Sequence, residues 1–341
     1  MEKSKSVRLD PIFVIGYMRS GTTMLRLMIN KHPDLFIPRE SGYFQRLPMK
    51  YPNRTHQVQD IDKLVKSAPI GSYGRLLDKE YFRKLLQENL PAGNNVLLAC
   101  LYQAYAVSLG NNDVRWGDKK PQHWQFVYCL RQWYPDAQFI HIVRDPRDVI
   151  ASIEDYTRNK NVKLTNQQYI FNGQLLPSHI VLAWHWQYAF KIMSEQAQIL
   201  GDKRYLMLKY EELVAEPSYY AERICHFLNC KTEFIDEMLK FREDAKNKKI
   251  RDDSSDSISP HNLETTKEVN QQRIGRYKAT LTEQQIGDIE FICGDIINEM
   301  GYEEISSNIS VARQAYLTSI CNLLLLAWKG LRATRLMRGS L

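Results

Sequence analysis

The sequence predicts an α/β fold in which a central, mainly parallel β-sheet is flanked by helices. Three short apolar stretches rich in β-branched residues predict strands at residues 12–17 (IFVIGY), 137–145 (AQFIHIVRD) and 205–213 (YLMLKYEEL). Each is followed by a stretch with helical periodicity, and this alternation is typical of parallel sheets. The chain has 341 residues and no visible internal repeat, so we expect one large α/β domain.

The elements between these strands follow from periodicity and from residues that end helices. We expect amphipathic helices over residues 54–90 and a buried helix at 96–110, which Gly110 ends. Residues 116–124 (WGDKKPQHW) have no regular pattern and are predicted to be irregular. A helix is predicted next, at residues 125–135 (QFVYCLRQWYP).

Three later helices are marked by the residues at their ends. Pro146 and Pro217 each stand in the first turn of a predicted helix, where proline is well tolerated. Thr282 and Gln285 form a capping box at the start of the strongest helical pattern, which Gly301 ends.

Composition limits the classes of partner and the compartment. The formal net charge of +7 is mild and no nucleic-acid-binding motif accompanies it, so we expect an anionic ligand and no nucleic acid. The six cysteines form no C-x-x-C pair, which indicates neither a zinc site nor a disulfide framework. A polar N-terminus without an apolar signal or spanning segment predicts a cytoplasmic protein with reduced thiols.

The stretch GYMRSGTTML (Gly16–Leu25) has the construction of a phosphate-binding loop. An apolar strand leads into a turn with small hydroxylated residues, and the positive end of a helix follows. The nucleotide-binding pattern G-x-x-x-x-G-K-[ST] is broken, because Thr22 stands where a lysine is needed. The fold is therefore predicted to be P-loop-like, with three layers. The residues expected to contact the anion are Arg19, Ser20, Gly21, Thr22 and Thr23.

A second anion site is predicted where the strand at 137–145 ends. Arg144 directly follows the apolar part of this strand, and Ser152 lies eight residues further on, in the next predicted helix. An arginine at this position binds a phosphate oxygen rather than a metal, so we do not expect Asp145 to hold Mg²⁺. A ligand with phosphates at two separate positions fits these sites better than a triphosphate does.

These motifs resemble those of sulfotransferases that use 3′-phosphoadenosine 5′-phosphosulfate (PAPS). GYMRSGTTML resembles their 5′-phosphosulfate loop, and IHIVRDPRDVIAS, with its Arg-x7-Ser spacing, resembles their 3′-phosphate motif. The sequence resembles tyrosylprotein and bacterial sulfotransferases more than the cytosolic phenol enzymes. The resemblance covers residues 10–303 in scattered blocks, and we expect these residues to form a sulfotransferase domain.

The resemblance implies PAPS as co-substrate, no metal, and a set of donor-binding residues outside the loop. Arg144 and Ser152 are implied to bind the 3′-phosphate. Tyr210 is implied to contact the adenine; the alternative is that it only packs at the end of a strand. Arg273 and Arg276 are implied to close over the 3′-phosphate, although the segment around them follows no clean family pattern.

The resemblance also implies in-line transfer of the sulfuryl group to a hydroxyl or amine. Charge develops on the bridging oxygen of the leaving phosphate, so cations near it are the main catalytic device. Arg19 and Lys119 are the implied cations. Lys120 is the alternative to Lys119, because the two lysines are adjacent in WGDKKP.

Glu40 is the implied base that takes the proton from the acceptor, and His123 is the alternative base. A carboxylate near its usual pKa is a weak base for an alcohol, so we expect partial burial to raise the pKa of Glu40. The plainer alternative is that Glu40 pairs with Arg39 or Arg46 at the surface.

Two other classes of function stay open. A P-loop kinase or nucleotide hydrolase needs ATP and Mg²⁺, and the missing lysine counts against it. A non-catalytic protein that binds 3′-phosphoadenylates would have the same anion sites. The sequence also does not identify the acceptor, which is a metabolite, a lipid, a glycan or a peptidyl tyrosine.

Residues 304–341 predict an amphipathic, basic C-terminal helix. Such a helix either lies in a membrane interface as a peripheral contact or packs on the domain or on a second copy of the chain. Its apolar run is too short to span a membrane. The predicted apolar face consists of Ala312, Ala315, Tyr316, Ser319, Ile320, Leu323, Leu324, Ala327, Trp328 and Leu331.

Two further segments have two interpretations each. Residues 241–261 are charged and serine-rich and predict a mobile loop, which is either a surface loop or a substrate lid. The aromatic side chains of Trp184, Trp186 and Tyr188 on a predicted helix either line an acceptor pocket or pack in the core.

Overall fold

The structure is a computed structural model, and part of the chain lies outside the residues it describes, including 242–261 of the predicted mobile loop. The described residues are 7–40, 55–66, 77–160, 170–171, 174–175, 177–241, 273–305 and 309–337. The strands within them are β1 (Ile12–Ile15), β2 (Leu35–Phe36), β3 (Arg115–Lys119), β4 (Gln138–Val143), β5 (Ile170–Phe171), β6 (Gln174–Leu175) and β7 (Tyr205–Lys209).

α-Helices connect and follow these strands. The helices before β7 are α1 (Thr22–Ile29), α2 (Ile61–Lys66), α3 (Lys79–Asn89), α4 (Asn94–Ser108), α5 (Val127–Trp133), α6 (Pro146–Lys160) and α7 (Ser178–Leu200). The helices after β7 are α8 (Tyr210–Ala215), α9 (Pro217–Leu228), α10 (Ile235–Leu239), α11 (Tyr277–Thr280), α12 (Glu283–Glu299) and α13 (Val311–Met337).

The main sheet has five strands, all parallel, in the order β2-β3-β1-β4-β7. In its centre, Phe13 of β1 is in register with Asp118 of β3 on one side and with Phe139 of β4 on the other. The short strands β5 and β6 form a separate antiparallel pair. The predicted parallel sheet is confirmed.

Helices cover both faces of this sheet, and the alternation of β1 side chains shows the two layers of core. Phe13 and Ile15 pack with residues of α4, α5, α6, α7 and α12. Ile12 and Val14 point to the other face and pack with residues of α1, α8, α9 and α10. Because successive strand side chains point to opposite faces, an apolar run such as IFVI fits a strand buried on both sides. The predicted three-layer α/β fold is therefore confirmed.

β3 is the main departure from the predicted elements. The prediction of an irregular segment at 116–124 is wrong, because Arg115–Lys119 forms a fully buried strand. β3 pairs with β2 on one edge and with β1 on the other. Its buried Asp118 also finds a partner, since its carboxylate lies 2.7 Å from Nε2 of His123. Pairing on both edges thus overrides a sequence with little strand propensity.

The predicted helix starts are confirmed, and all three predicted strands are shorter than expected. Pro146 and Pro217 are the first residues of α6 and α9. The capping box of Thr282 and Gln285 is present at the start of α12. β7 ends before Tyr210, which is the first residue of α8 rather than part of the strand.

The C-terminal helix α13 packs on the rest of the domain. Leu317, Ile320 and Leu324 are buried and belong to the main core cluster. At the start of the helix, Arg313 donates two hydrogen bonds to the carboxylate of Asp288 on α12. Packing on the domain, one of the two predicted roles of this helix, is therefore present.

The buried stripe of α13 is turned relative to the predicted apolar face. Ile320 and Leu324 point inward, but Tyr316 and Leu323, which were predicted on the same face, are exposed. Leu326 next to them is 66% exposed. Among the described helices, none combines the length and the apolar character that crossing a membrane requires.

Candidate active site

The predicted site residues lie along one edge of the sheet, in the order of the strands. Glu40 follows β2, Lys119 ends β3, Arg19 follows β1, Arg144 follows β4 and Tyr210 follows β7. Parallel strands end at the same edge of a sheet, which is where ligands bind in open α/β folds. Four strand spacings at about 4.8 Å each span about 19 Å. This edge is long enough to hold an elongated ligand with separate anionic groups.

The turn after β1 brings its backbone very close to neighbouring atoms. At Gly16, with φ +155°, a Cβ atom would lie 2.5 Å from the carbonyl oxygen of Ile142. At Gly21, with φ +99°, a Cβ atom would lie 2.6 Å from the ring of Tyr210. Only glycine meets both demands, since other residues add a side chain and disfavour positive φ. The two glycines of the loop motif are therefore required by the shape of the turn.

The loop presents hydrogen-bond donors to the space at the start of α1. Thr22 is the first residue of this helix, whose positive end attracts anions. The hydroxyl oxygen of Ser20 is fully buried and makes no hydrogen bond with any described residue. A buried hydroxyl without a partner is costly, so this group fits an oxygen atom of a bound anion.

The two predicted anion sites are physically joined. Nε of Arg19 donates to the hydroxyl of Ser152 at 3.0 Å, across 133 residues of sequence. Nη1 of Arg144 donates to the carbonyl oxygen of Arg19 at 3.2 Å. The guanidinium of Arg144 also stacks on the ring of Tyr210, 4.6 Å from its centroid. Arg19, Ser152, Arg144 and Tyr210 thus form one continuous set of contacts.

The segment that contains Arg273 and Arg276 contacts Arg144 through its backbone. Nη2 of Arg144 donates to the carbonyl oxygen of Arg273 at 2.6 Å. The guanidinium of Arg276 pairs with Asp155, one turn beyond Ser152 on α6. The structure therefore brings Arg273 to Arg144, while the side chain of Arg276 lies on a neighbouring carboxylate.

Asp148 fixes this segment, and the sequence motifs do not identify it. Its carboxylate accepts hydrogen bonds from the backbone N–H groups of Gly275 at 2.9 Å and Tyr277 at 3.0 Å. It also lies 3.6 Å from the guanidinium of Arg144. Burial raises the pKa of Asp148, although Arg144 and these N–H groups oppose the rise.

Lys119 and Glu40 form an ion pair at the other end of the edge. Nζ of Lys119 donates to Oε1 of Glu40 at 2.6 Å and to the hydroxyl of Thr23 at 3.2 Å. Lys119 is only 3% exposed, whereas the side chain of Glu40 is 42% exposed. Lys119 thus connects Thr23, at the start of α1, to the carboxylate of Glu40. Of the alternative partners for Glu40, Arg46 lies outside the described residues.

The expectation that the pKa of Glu40 is raised is wrong for the free protein. Burial does act to raise this pKa, but the charge and hydrogen bond of Lys119 outweigh it and hold the pKa below its usual value. Lys120 and His123 contribute in the same direction. Burial in turn lowers the pKa of Lys119, against the opposing charge of Glu40.

His123, the alternative base, is fully buried. Its Nε2 lies 2.7 Å from Oδ2 of Asp118, which is also fully buried. The other oxygen of Asp118 accepts the backbone N–H of Lys119 at 2.9 Å. The His123–Asp118 contact therefore supports the end of β3 from which the side chain of Lys119 extends.

The carboxylate of Asp145 is bound by the guanidinium of Arg147. Arg147 donates to both carboxylate oxygens of Asp145, at 3.0 and 2.7 Å. Nη1 of Arg147 also donates to Glu290 of α12 at 2.5 Å. The backbone N–H of Asp145 donates to Glu211 of α8 at 3.0 Å. This buried network fixes the turn between β4 and α6.

The aromatic side chains of α7 belong to the core. Trp184 and Trp186 are buried within the main core cluster. Tyr188 is partly buried and stacks on Trp184, with ring centroids 5.4 Å apart. Core packing, one of the two interpretations of these residues, is therefore confirmed for the two tryptophans.

Comparison with known proteins finds a matching family model and similar relatives. The family model described as "Sulfotransferase family" matches residues 11–234. The protein-tyrosine sulfotransferase of Drosophila melanogaster is 23% identical over 257 residues, which are 74% of this chain and 45% of that protein. Protein-tyrosine sulfotransferase A of Caenorhabditis elegans is 23% identical over 294 residues, which are 86% of this chain and 67% of that protein. The chain thus spans between about half and two thirds of these relatives.

A solved structure shares the fold. The sulfotransferase domain from the curacin biosynthetic pathway superposes with a TM-score of 0.56 at 19% sequence identity. The match covers 87% of this chain and 99% of that domain. Because the family model matches well over half of the sequence, the chain belongs to the sulfotransferase family.

Proposed function

We propose that this protein transfers the sulfuryl group of PAPS to a hydroxyl, or an amine, of an acceptor. The observation that carries the proposal is the joining of two anion sites by Arg144 and Ser152, next to the unpartnered hydroxyl of Ser20. A donor with a 5′-phosphosulfate and a separate 3′-phosphate satisfies both sites at once. Each hydrogen bond to a charged oxygen contributes about 1.5–3 kcal/mol.

In this proposal the donor lies along the edge of the sheet. Arg19, Ser20, Gly21, Thr22 and Thr23 hold the 5′-phosphosulfate. The residues that hold the rest of the donor are Arg144, Ser152 and Tyr210, with Arg273 and Arg276 closing over the 3′-phosphate. The stacking of Arg144 on Tyr210 supports a donor whose 3′-phosphate, bound by Arg144, lies next to the adenine, contacted by Tyr210.

The proposed chemistry follows the order of side chains along the edge. The acceptor oxygen forms a bond to sulfur while the bond from sulfur to the 5′-phosphate oxygen breaks. Arg19 and Lys119 neutralise the charge that develops on the leaving phosphate oxygen. Glu40 takes the acceptor's proton. Because Lys119 holds Glu40 in the free protein, movement of this ammonium toward the donor would release the carboxylate and raise its pKa.

Two observations favour this proposal over an ATP-dependent kinase or hydrolase. Thr22 stands where such enzymes need a lysine. Asp145, the carboxylate nearest to the end of β4, is bound by Arg147 on both oxygens and is poorly placed to serve Mg²⁺. A non-catalytic binder of 3′-phosphoadenylates is distinguished from an enzyme by turnover alone.

Replacement of Arg144 by alanine tests the donor site. We expect the wild type to bind 3′-phosphoadenosine 5′-phosphate in calorimetry and to prefer it to ATP with Mg²⁺. Loss of two charged hydrogen bonds is expected to weaken this binding by about 100-fold or more in Arg144→Ala. Binding of 5′-AMP, which lacks the 3′-phosphate, should change little.

The control variant is Arg83→Ala, which removes a guanidinium that pairs with Asp62 of α2. An equal loss of 5′-AMP binding in Arg144→Ala would mean that Arg144 holds the loop rather than the 3′-phosphate. A wild type that ignores 3′-phosphoadenosine 5′-phosphate, or prefers ATP, would end the proposal.

The acceptor class is found by following transfer of a radiolabelled sulfuryl group from PAPS. The panel contains a tyrosine-bearing peptide, a simple phenol, a long-chain alcohol and a saccharide. The tyrosine peptide is assayed first, because both relatives described above are named protein-tyrosine sulfotransferases. Transfer to any acceptor excludes a purely binding role for the protein.

For the outward face of α13 we propose contact with an anionic membrane surface. Leu326 is 66% exposed, and Leu323 and Tyr316 are exposed on earlier turns of the helix. From residue 305 to the end, the sequence has no acidic residue, and beyond Arg313, which pairs with Asp288, it has the cations Lys329, Arg332, Arg335 and Arg338. Each cation near an anionic surface contributes about 1 kcal/mol, which complements the apolar contact.

The variant Leu326→Glu tests this contact without disturbing the buried side of α13. We expect it to weaken binding to anionic vesicles by about tenfold or more, because a buried leucine contributes about 1.5–3 kcal/mol. Zwitterionic vesicles and binding of 3′-phosphoadenosine 5′-phosphate serve as controls. A full-length chain that does not sediment with anionic vesicles rules the contact out. A change in oligomeric state alone would assign the face to self-association.

A further inference from the structure

We propose that His32, Cys225 and Cys230 form a binding site for a thiophilic divalent cation of the zinc class. One ligand atom from each of the three side chains lies within 4.8 Å of the other two. The cluster lies beyond the C-terminal end of α1, on the opposite end of that helix from the phosphate-binding loop. It is separate from the sulfuryl-transfer site, for which no metal is proposed.

The end of α9 explains why the two thiols meet. Asn229 adopts a left-handed conformation, with φ 54°. The N–H of Cys230 donates to the carbonyl oxygen of Cys225 at 3.0 Å, and the N–H of Asn229 donates to that of His226 at 3.2 Å. These two bonds define a Schellman motif, in which the side chains at the first and last of its six positions contact each other. In this chain those positions are Cys225 and Cys230.

The imidazole of His32 is held in place from two sides. Its Nε2 lies 3.0 Å from the carbonyl oxygen of Lys231, and its Nδ1 accepts the backbone N–H of Asp34 at 3.2 Å. Its ring also packs edge-on against Phe234. This pattern puts the ring proton on Nε2 and the lone pair on Nδ1, so a cation bound at Nδ1 would replace the N–H of Asp34 there. Histidines that bind metals commonly donate their other ring N–H to a backbone carbonyl in this way.

The chemistry of the ligand set selects a soft cation. Two sulfur atoms and one imidazole nitrogen suit zinc and similar ions, whereas Mg²⁺ and Ca²⁺ need oxygen ligands. The thioether sulfur of Met238 lies 3.5 Å from the sulfur of Cys225, which adds another soft atom at the site. Binding would release the thiol protons, since the thiolate is the ligand.

The placement of the site suggests what a bound cation does. His32 and Cys225 are buried, while Cys230 is partly exposed and gives the cation a path from solvent. The cation would tie the segment after α1 to the end of α9. Because α1 begins at the phosphate-binding loop, this connection stabilises the helix on which the loop is built.

Metal titration of the full-length chain tests the proposal. The protein is treated with chelator and reductant, and Zn²⁺ uptake and the thiolate-to-metal absorption of added Co²⁺ are then measured. We expect one equivalent per chain and a rise in melting temperature with Zn²⁺. Cys230→Ser should weaken Zn²⁺ affinity by about 100-fold or more. Loss of a residue that only hydrogen-bonds to a metal ligand already lowers metal affinity by about 10–100-fold, and loss of a ligand itself should cost at least as much. Cys129→Ser, which alters a partly buried cysteine of α5, should behave as wild type.

His32→Asn provides a second test that leaves both thiols in place. It should also lose the Co²⁺ absorption, while free-thiol titration still counts the same number of cysteines. Equal metal uptake by wild type and Cys230→Ser would overturn the proposal. So would a wild type in which Cys225 and Cys230 form a disulfide and no metal binds under reducing conditions.

Discussion

Replacing Glu40 by glutamine is expected to lower kcat for sulfuryl transfer by about 10²–10⁴-fold, the usual contribution of a general base. Glutamine has nearly the same shape but cannot take the acceptor's proton. Donor binding should survive, because the proposed donor contacts follow β1, β4 and β7, and Glu40, which follows β2, reaches them only through Lys119. Calorimetry with 3′-phosphoadenosine 5′-phosphate and steady-state kinetics with the acceptor found by the panel measure the two quantities separately.

The matched control for this prediction is Glu88→Gln, which alters an exposed carboxylate of α3. It should retain wild-type kcat. A Glu40→Gln enzyme that keeps more than a tenth of the wild-type kcat contradicts the assignment of the base. In that event His123→Gln becomes the decisive variant. If His123 only supports Asp118, its replacement lowers the melting temperature and shifts no limb of the pH profile.

Elements that bury an apolar run could be predicted from the sequence. β1, β4 and β7 each have such a run, and their order along the chain already indicated a parallel sheet. β3 gave no such signal, because its residues Arg115–Lys119 include four with polar or no side chains. Its position between two other strands is a long-range property. Local propensity therefore could not identify it.

The site was predictable where a motif is contiguous and unpredictable where contacts join distant segments. The loop and the Arg144–Ser152 spacing are local, so their chemistry could be read directly. Burial of Lys119 against Glu40, 79 residues away in sequence, could not be read, and it reverses the expected direction of the pKa of Glu40. Asp148 was missed for the same reason, since its partners lie more than 120 residues further along the chain.

The ion pair between Lys119 and Glu40 also gives the activity a defined pH dependence. Glu40 accepts a proton only when it is ionised. In the free protein, Lys119 keeps the pKa of Glu40 below the usual value. The acid limb of kcat/KM for the donor, which reports the free enzyme, should therefore lie below the usual carboxylate pKa of about 4.3. Above that limb, Glu40 is ionised throughout the neutral range.

Lys119→Met is expected to change both the rate and this pH profile. Loss of the ammonium beside the transferred group should lower kcat by about 10²–10³-fold, as for other preorganised donors. Glu40 loses the cation that outweighs its burial, so its pKa rises and the acid limb of kcat/KM moves to higher pH. Stopped assays from acid to neutral pH, limited to the range in which the variant stays folded, measure the shift.

The adjacent lysine is the control that decides between the two candidate cations. Lys120→Met removes a charge that lowers the pKa of Glu40 less than Lys119 does, so the acid limb should move less and kcat should stay near the wild-type value. The reverse result would mean that Lys120 is the cation at the sulfuryl group. If Lys119→Met lowers kcat without moving the limb, Glu40 is not the group that titrates. The rate and the pH limb together therefore test the cation and the base in a single pair of variants.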